Sequence, residues 1–237
     1  MKLRNRGLAF SGALLLGALL VVTPGAQAGS VTLGSYDSGN CYPFMCNDSQ
    51  TSSGISIDYQ QVYALSVPMT ITSLSFQYWP VYGNDAVLGG TYDVYFSYSA
   101  NPVGSLSSDL PTNVSGSQTL FFSGNLGGLL GDFTINGTTS FTYDPINGPL
   151  LLEVVVTDQA LVANGNGNGY NWADEIGVVT DRAYYVPNTA YRIGSTVGAL
   201  VTTFNSATVP EPSTLAFMGG GLLLLLGGAR RRFNRRG

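Results

Sequence analysis

Residues 91–98 read TYDVYFSY, and this stretch decides the fold. Large apolar or aromatic side chains occupy every second position and alternate with a set that is mostly polar. The large set is Tyr92, Val94, Phe96 and Tyr98. Successive side chains of a β-strand point to opposite faces, so a period of two places this set on one face. The stretch therefore predicts a strand with one buried face.

Similar strand patterns recur through the middle of the chain. Leu74, Phe76 and Tyr78 alternate with polar residues, and Leu150–Val156 is an apolar run broken only by Glu153, as in a central strand. The remaining predicted strands are Val31–Tyr36, Tyr59–Leu65, Thr119–Ser123, Asp132–Ile135, Phe141–Tyr143, Ile176–Thr180, Ala183–Val186 and Leu200–Phe204. Turn signals such as Asn136-Gly137 separate them. Many short strands predict an all-β antiparallel β-sandwich, with a jelly roll favoured over a repeat-based solenoid because no fixed repeat is visible.

The N-terminal segment has the three parts of a secretory signal peptide. Basic residues precede the apolar run Leu8–Val22, and Ala26-Gln27-Ala28 supplies small residues at the −3 and −1 positions of a cleavage site. We expect a signal peptide over residues 1–28, handled by the Sec translocon and signal peptidase. The alternative is an uncleaved anchor.

The C-terminal segment, residues 209–237, combines a rigid motif, an apolar run and a basic end. The motif, residues 209–214, is Val209, Pro210, Glu211, Pro212, Ser213 and Thr214. Its prolines disfavour helix, so we expect it to be extended. The apolar run 215–229 is a predicted transmembrane helix of about 22 Å, short of a bilayer core of about 30 Å.

Arginines follow this run, in residues 230–237, and we expect them to act as a stop-transfer signal that stays in the cytoplasm. They are Arg230, Arg231, Arg232, Arg235 and Arg236. The tail could be a short permanent anchor or a sorting signal that is removed after use.

The three elements in this order resemble the PEP-CTERM sorting tail of Gram-negative bacteria. The resemblance implies recognition by an exosortase, a membrane cysteine protease-like enzyme, in bacteria that usually make exopolysaccharide or biofilm matrix. Segments of the middle region, among them Tyr92-Asp93-Val94-Tyr95-Phe96-Ser97 and Phe141-Thr142-Tyr143-Asp144-Pro145, also look like one lineage of PEP-CTERM cargo domains. This second resemblance supports a β-sandwich and implies no activity.

The predicted exported domain, residues 29–208, is strongly acidic. It holds two arginines, Arg182 and Arg192, no lysine and thirteen acidic residues, hence a formal net charge of −11. This charge argues against nucleic acid and anionic membrane surfaces as partners. We expect each arginine to pair with a carboxylate, and Arg182, which precedes Tyr184-Tyr185, to be stacked and partly buried.

The chain contains no histidine. That excludes Ser-His-Asp and Cys-His catalysis and histidine-based zinc sites. Glycosidase chemistry needs two carboxylates placed across a cleft, which the sequence cannot show. We therefore predict no catalytic residues and a protein that is not an enzyme.

Cys41 and Cys46 are the two cysteines of the chain. In an exported protein this pair should oxidise to a disulfide that closes a short loop. A redox or metal-binding role would need partner residues that the sequence does not offer nearby. We expect the disulfide to stabilise the loop by about 2 kcal/mol.

An Asn/Gly-rich loop followed by two acids is a candidate calcium site. Its potential oxygen ligands are Asn166, Asn168, Asp174 and Glu175. The alternative is a mobile loop, since Asn and Gly are common in turns. Tyr170 and Trp172 are candidate ligand-binding residues that could form a sugar-stacking platform with Trp79, Tyr184 and Tyr185. Core packing is the other explanation for these aromatic residues.

The leading hypothesis is a non-enzymatic exported protein of the cell surface or extracellular matrix, which crosses the inner membrane in transit. The alternative is a calcium-assisted carbohydrate-binding module that binds a polysaccharide of an exopolysaccharide or biofilm matrix. A secreted hydrolase is the third hypothesis.

Overall fold

The computed structural model describes residues 29–44, 55–79, 86–128, 131–162, 171–176, 179–187 and 190–206. All of them belong to one compact unit, Ala26–Pro210. These ranges hold fourteen strands and two short 3-10 helices, Leu110–Asn113 and Pro145–Asn147, and no α-helix. The predicted all-β class is confirmed. No helix in these ranges is long and apolar enough to span a membrane, and the predicted segments 1–28 and 209–237 lie outside them.

The strands are numbered in their order along the chain. They are β1 (Ser30–Leu33), β2 (Ser38–Asn40), β3 (Ile55–Tyr63), β4 (Met69–Phe76), β5 (Tyr78–Trp79), β6 (Ala86–Ser99), β7 (Val114–Asn125), β8 (Phe133–Tyr143), β9 (Leu150–Val162), β10 (Asn171–Glu175), β11 (Thr180–Val186), β12 (Tyr191–Thr196), β13 (Ala199–Leu200) and β14 (Thr202–Ser206).

Two larger antiparallel sheets form the body of the domain. One has the order β1-β14-β4-β8 and the other the order β12-β11-β3-β9-β6-β7. A small sheet, β13-β10-β2, has β5 paired to β10. The eight strands β1, β3, β4, β6, β7, β8, β9 and β14 have the order of a jelly roll when they are numbered along the chain. Strands β11 and β12, inserted between β9 and β14, extend the six-stranded sheet.

The hydrophobic core lies between the two larger sheets. Tyr92, Val94 and Phe96 are completely buried, as the alternation in residues 91–98 predicts. Phe96 of β6 stacks on Phe141 of β8 with ring centroids 5.4 Å apart. The ring of Phe204 of β14 packs edge to face against an aromatic ring of the six-stranded sheet. Full burial of one such side chain contributes about 1.5–3 kcal/mol, so this interface is the main source of stability.

The predicted turn at Asn136-Gly137 is wrong. The segments Asp132–Ile135 and Phe141–Tyr143 were expected to be separate strands, but both fall in the region of the single strand β8. The register of β8 against β4 shifts here, and the ring of Phe121 lies directly over Gly137. An Asn-Gly pair is a hairpin signal only when the chain reverses, and here the glycine makes room for a ring at a bulge.

Other predicted bounds shift by a few residues, and one predicted strand does not begin where the sequence places it. The predicted strand Ile176–Thr180 is wrong at its start, because Ile176 is exposed and lies outside β10. Its N–H donates to the side chain of Asp37 instead of a neighbouring strand. The short strands β2, β5, β10 and β12 have no clear alternation and were not predicted.

Candidate functional site

Several predicted site residues lie outside the described residues, and their assignments stay predictions. They are the motif 209–214, the arginines of 230–237, Cys46, Asn166, Asn168 and Tyr170. Cys41 is described and is disulfide-bonded. Its pairing with Cys46 stays a prediction for the same reason.

The two acids of the proposed calcium site are on β10 and are both buried. Asp174 accepts a hydrogen bond from Ser38 Oγ at 2.5 Å, and Glu175 accepts one from Thr180 Oγ1 at 2.6 Å. Burial raises the pKa of the Asp174 carboxyl, while the Ser38 hydrogen bond and the charge of Arg182 lower it. Successive strand residues point to opposite faces, so the two carboxylates do not converge as a pair of ligands. Among the described residues no cluster of three metal-ligating side chains exists.

Trp172 is not a sugar-stacking residue, contrary to the sequence hypothesis. Its side chain is completely buried. Its ring packs edge to face against Phe44 at 5.5 Å and Phe133 at 5.3 Å between ring centroids. Tyr184 of the same proposed platform is also buried and stacks on Tyr42 at 4.5 Å. Core packing accounts for both rings, because both belong to the main hydrophobic core.

Both arginines of the domain stack on tyrosines. The guanidinium of Arg182 lies 5.5 Å from the ring centroid of Tyr184, and its Nε donates to the carbonyl of Val197 at 2.9 Å. The predicted stacked position of Arg182 is confirmed. Arg192 lies 3.9 Å over the ring of Tyr185. Such contacts contribute about 0.5–2 kcal/mol each, so these residues support the small strands β11 and β12.

Two neighbouring carboxyls on the outer face of the six-stranded sheet were missed by sequence reasoning. They belong to Asp58 of β3 and Glu153 of β9, which lie on paired strands and interact electrostatically. Gln60 Nε2 donates to Glu153 Oε1 at 3.1 Å, and Gln118 of β7 donates to Glu153 Oε2. Burial, followed by the charge and hydrogen bond of Glu153, raises the pKa of Asp58 to about 7.

The outer face of the four-stranded sheet is built from uncharged polar side chains in two cross-strand rows. We call these rows the hydroxyl–amide face. The first row is Thr32, Thr203, Ser75 and Thr134, and the second is Ser30, Asn205, Ser73 and Asn136.

Hydrogen bonds between neighbouring strands order this face. Thr32 and Thr203 hydroxyls lie 2.8 Å apart, and Ser75 and Thr134 hydroxyls lie 2.9 Å apart. The amide of Asn205 donates to Ser73 Oγ at 3.1 Å and to Ser75 Oγ at 3.2 Å. The face therefore presents a regular array of hydroxyl and amide groups to solvent.

A cavity of about 270 Å³ opens at one end of the hydroxyl–amide face. Its lining consists of Tyr36, Ser75, Phe76, Gln77, Asp132, Phe133, Thr134, Val201 and Thr203. Tyr36 is 48% exposed. Gly34 has a φ of 100°, and a Cβ there would lie 3.1 Å from Val201 Cγ2, so glycine allows the chain to turn against the cavity wall toward Tyr36.

The described residues define the class: an all-β antiparallel sandwich whose four-stranded sheet has a polar outer face. Residues 208–232 match the PEP-CTERM protein-sorting motif. The chain thus carries a PEP-CTERM sorting motif in its tail. The motif implies processing by exosortase-type sorting machinery and export to the cell envelope or surface.

Similarity to solved structures is weak. The chain resembles a clostridial cysteine protease, Cwp84, after propeptide cleavage, with 16% identity and a TM-score of 0.34 over 68% of this chain and 40% of that one. It also resembles the cysteine protease and lectin-like domains of Cwp84, a surface layer associated protein of Clostridium difficile. That match has 16% identity and a TM-score of 0.32 over 68% of this chain and 36% of that one. TM-scores this low support no conclusion about the function of this chain. No curated protein matches the chain.

Proposed function

We propose that this protein is a non-enzymatic component of the cell surface or extracellular matrix that is released from its tail by an exosortase-type enzyme. The observation that carries the proposal is the sorting motif at residues 208–232. The apolar run 215–229 is about 22 Å long as a helix, which makes a poor permanent anchor. Removal of the run would free the acidic domain from the membrane.

The absence of an enzymatic role is supported by the chemistry of the chain. The sequence has no histidine to act as a general base or nucleophile partner. The carboxyls of Asp58 and Glu153 belong to paired strands of one sheet, β3 and β9, and do not face each other across a cleft as glycosidase carboxylates do. Two glutamine side chains also occupy the oxygens of Glu153. The pair is therefore better suited to joining strands than to hydrolysis, and a secreted hydrolase has less support.

The test is C-terminal mass mapping of the mature protein from its own host. We expect the mature chain to lack residues 215–237 and a strain without the sorting enzyme to retain them. Changing both Pro210 and Pro212 to alanine should also block removal, because the extended motif is lost. Full-length tails in the wild-type host, or cleavage that continues without the enzyme, would contradict the proposal.

Carbohydrate binding is the second candidate function. The open hydroxyl–amide face and its adjoining cavity favour it, since sugar recognition uses hydroxyl and amide partners beside an aromatic ring. Calcium assistance is a separate proposal that depends on Asn166 and Asn168. The measurement that tests calcium is polysaccharide binding with and without a chelator, and equal binding in both would remove the metal from the mechanism.

A further inference from the structure

We propose that the cavity beside Tyr36 binds one ring of a neutral polysaccharide, and that the hydroxyl–amide face carries the neighbouring rings of the same chain. The inference rests on the carbohydrate-binding candidate above and gives it a site that is separate from Tyr170 and Trp172. It rests on the cavity's lining, its size, its charge and its continuity with the sheet face.

The lining of the cavity has the two kinds of surface that a sugar ring needs. Tyr36 presents a half-exposed aromatic ring, and the partly buried Phe133 supplies apolar wall. Gln77 and Asp132 supply polar groups at the same cavity. A pyranose has apolar C–H faces and a polar rim of hydroxyl groups, so one face can pack on the aromatic surface while the rim meets the polar groups.

The size of the cavity favours a single ring. Its volume of about 270 Å³ lies just below the range of about 300–1,000 Å³ for sites that enclose drug-sized ligands. A longer glycan must therefore continue outside the cavity. Ser75, Thr134 and Thr203 line the cavity and also form most of the first row of the hydroxyl–amide face. The cavity and the face are thus one continuous surface.

The charges of the domain and of the cavity lining favour a neutral polysaccharide as the ligand. The domain has a formal net charge of −11 over residues 29–208, so it repels anionic polysaccharides at a distance. Neither row of the face contains a charged residue. Asp132 is the carboxylate of the cavity lining, and its Oδ1 accepts the backbone N–H of Tyr78 at 2.8 Å. No basic residue lines the cavity to hold an anionic group.

The dimensions of the face suit an extended chain. Adjacent strands lie about 4.8 Å apart, so a row across four strands spans about 14 Å. Each row offers hydroxyl or amide groups at every strand. Such a row can exchange hydrogen bonds with successive sugar hydroxyls along a polymer without a deep groove, as expected for a weak and repeated interaction with matrix.

The test measures polysaccharide binding by the full-length protein in a detergent without a sugar headgroup. The immobilised probes are three neutral polymers, dextran, mannan and galactan, with alginate as the anionic comparison. We expect at least one neutral polymer to bind and alginate not to bind. Tyr36→Ala should weaken that binding at least tenfold, and Gln77→Ala severalfold.

Tyr191→Ala is the matched control, because Tyr191 is 50% exposed on β12 of the other sheet. It should leave binding unchanged, and thermal unfolding should show that the Tyr36 variant is folded. Binding of alginate alone, no binding to any neutral polymer, or equal losses in the Tyr36 and Tyr191 variants would overturn the proposal. These outcomes do not depend on tail processing, so sorting can succeed or fail independently.

Discussion

The raised pKa of Asp58 predicts an unusual dependence of stability on pH. The pKa of Asp58 is raised to about 7, first by burial and then by Glu153. In the unfolded chain the same carboxyl loses its proton near pH 4. Between about pH 4 and pH 7 the folded protein therefore binds more protons than the unfolded chain. Linkage then requires the free energy of unfolding to fall as the pH rises through this window.

The magnitude follows from the two proton affinities. Each tenfold change in affinity is worth about 1.4 kcal/mol, so a raise from 3.8 to about 7 gives an upper limit of about 4 kcal/mol. The carboxyl is half-buried, and Arg192 lowers its pKa in part. Solvent screening at such a position reduces the effect. We expect a loss of about 2 kcal/mol between pH 5 and pH 8.

The perturbation is Asp58→Asn, which replaces the titrating carboxyl with a neutral amide of similar size. Urea unfolding at pH 5, 6, 7 and 8 measures the free energy of unfolding of wild type and variant. We expect the variant to match wild type near pH 5 and to exceed it by about 2 kcal/mol at pH 8. Glu153→Gln should keep part of the wild-type slope, because burial of Asp58 remains. Parallel pH profiles for wild type and Asp58→Asn would refute the raised pKa of Asp58.

Three further results are expected. Phe96→Ala should lower the free energy of unfolding by about 3–5 kcal/mol. Leu120→Ala is the control, because that side chain is 43% exposed, and it should change the free energy of unfolding by less than about 0.5 kcal/mol. Equal effects of the two variants in urea titrations would argue against the described core. Gly137→Ala should cost about 1–3 kcal/mol because its Cβ would lie 2.3 Å from the ring of Phe121, and an unchanged melting temperature would place that ring elsewhere. Intact-mass analysis of exported protein after alkylation should find no free thiol, since Cys41 is disulfide-bonded, and labelled cysteine would contradict this.

Patterns in the sequence determined the fold class and the sorting motif of this protein. Alternation in residues 91–98 is a local property, and the strand that it predicts lies within β6 with Tyr92, Val94 and Phe96 buried. The tail motif is likewise local, since its prolines, apolar run and arginines are contiguous. The same sequence analysis could not decide the role of Trp172, because the sequence around an aromatic residue beside a polar loop does not show whether its side chain is exposed or buried.

Only the tertiary structure decided which side chains share a surface. The hydroxyl–amide face joins residues of β1, β4, β8 and β14, which are far apart in the chain and meet through cross-strand register. The pair Asp58 and Glu153 depends in the same way on the pairing of β3 with β9. A shift of one residue in either register would turn these side chains to the opposite face. Register is set by packing of the whole sandwich, so no local pattern predicts these surfaces.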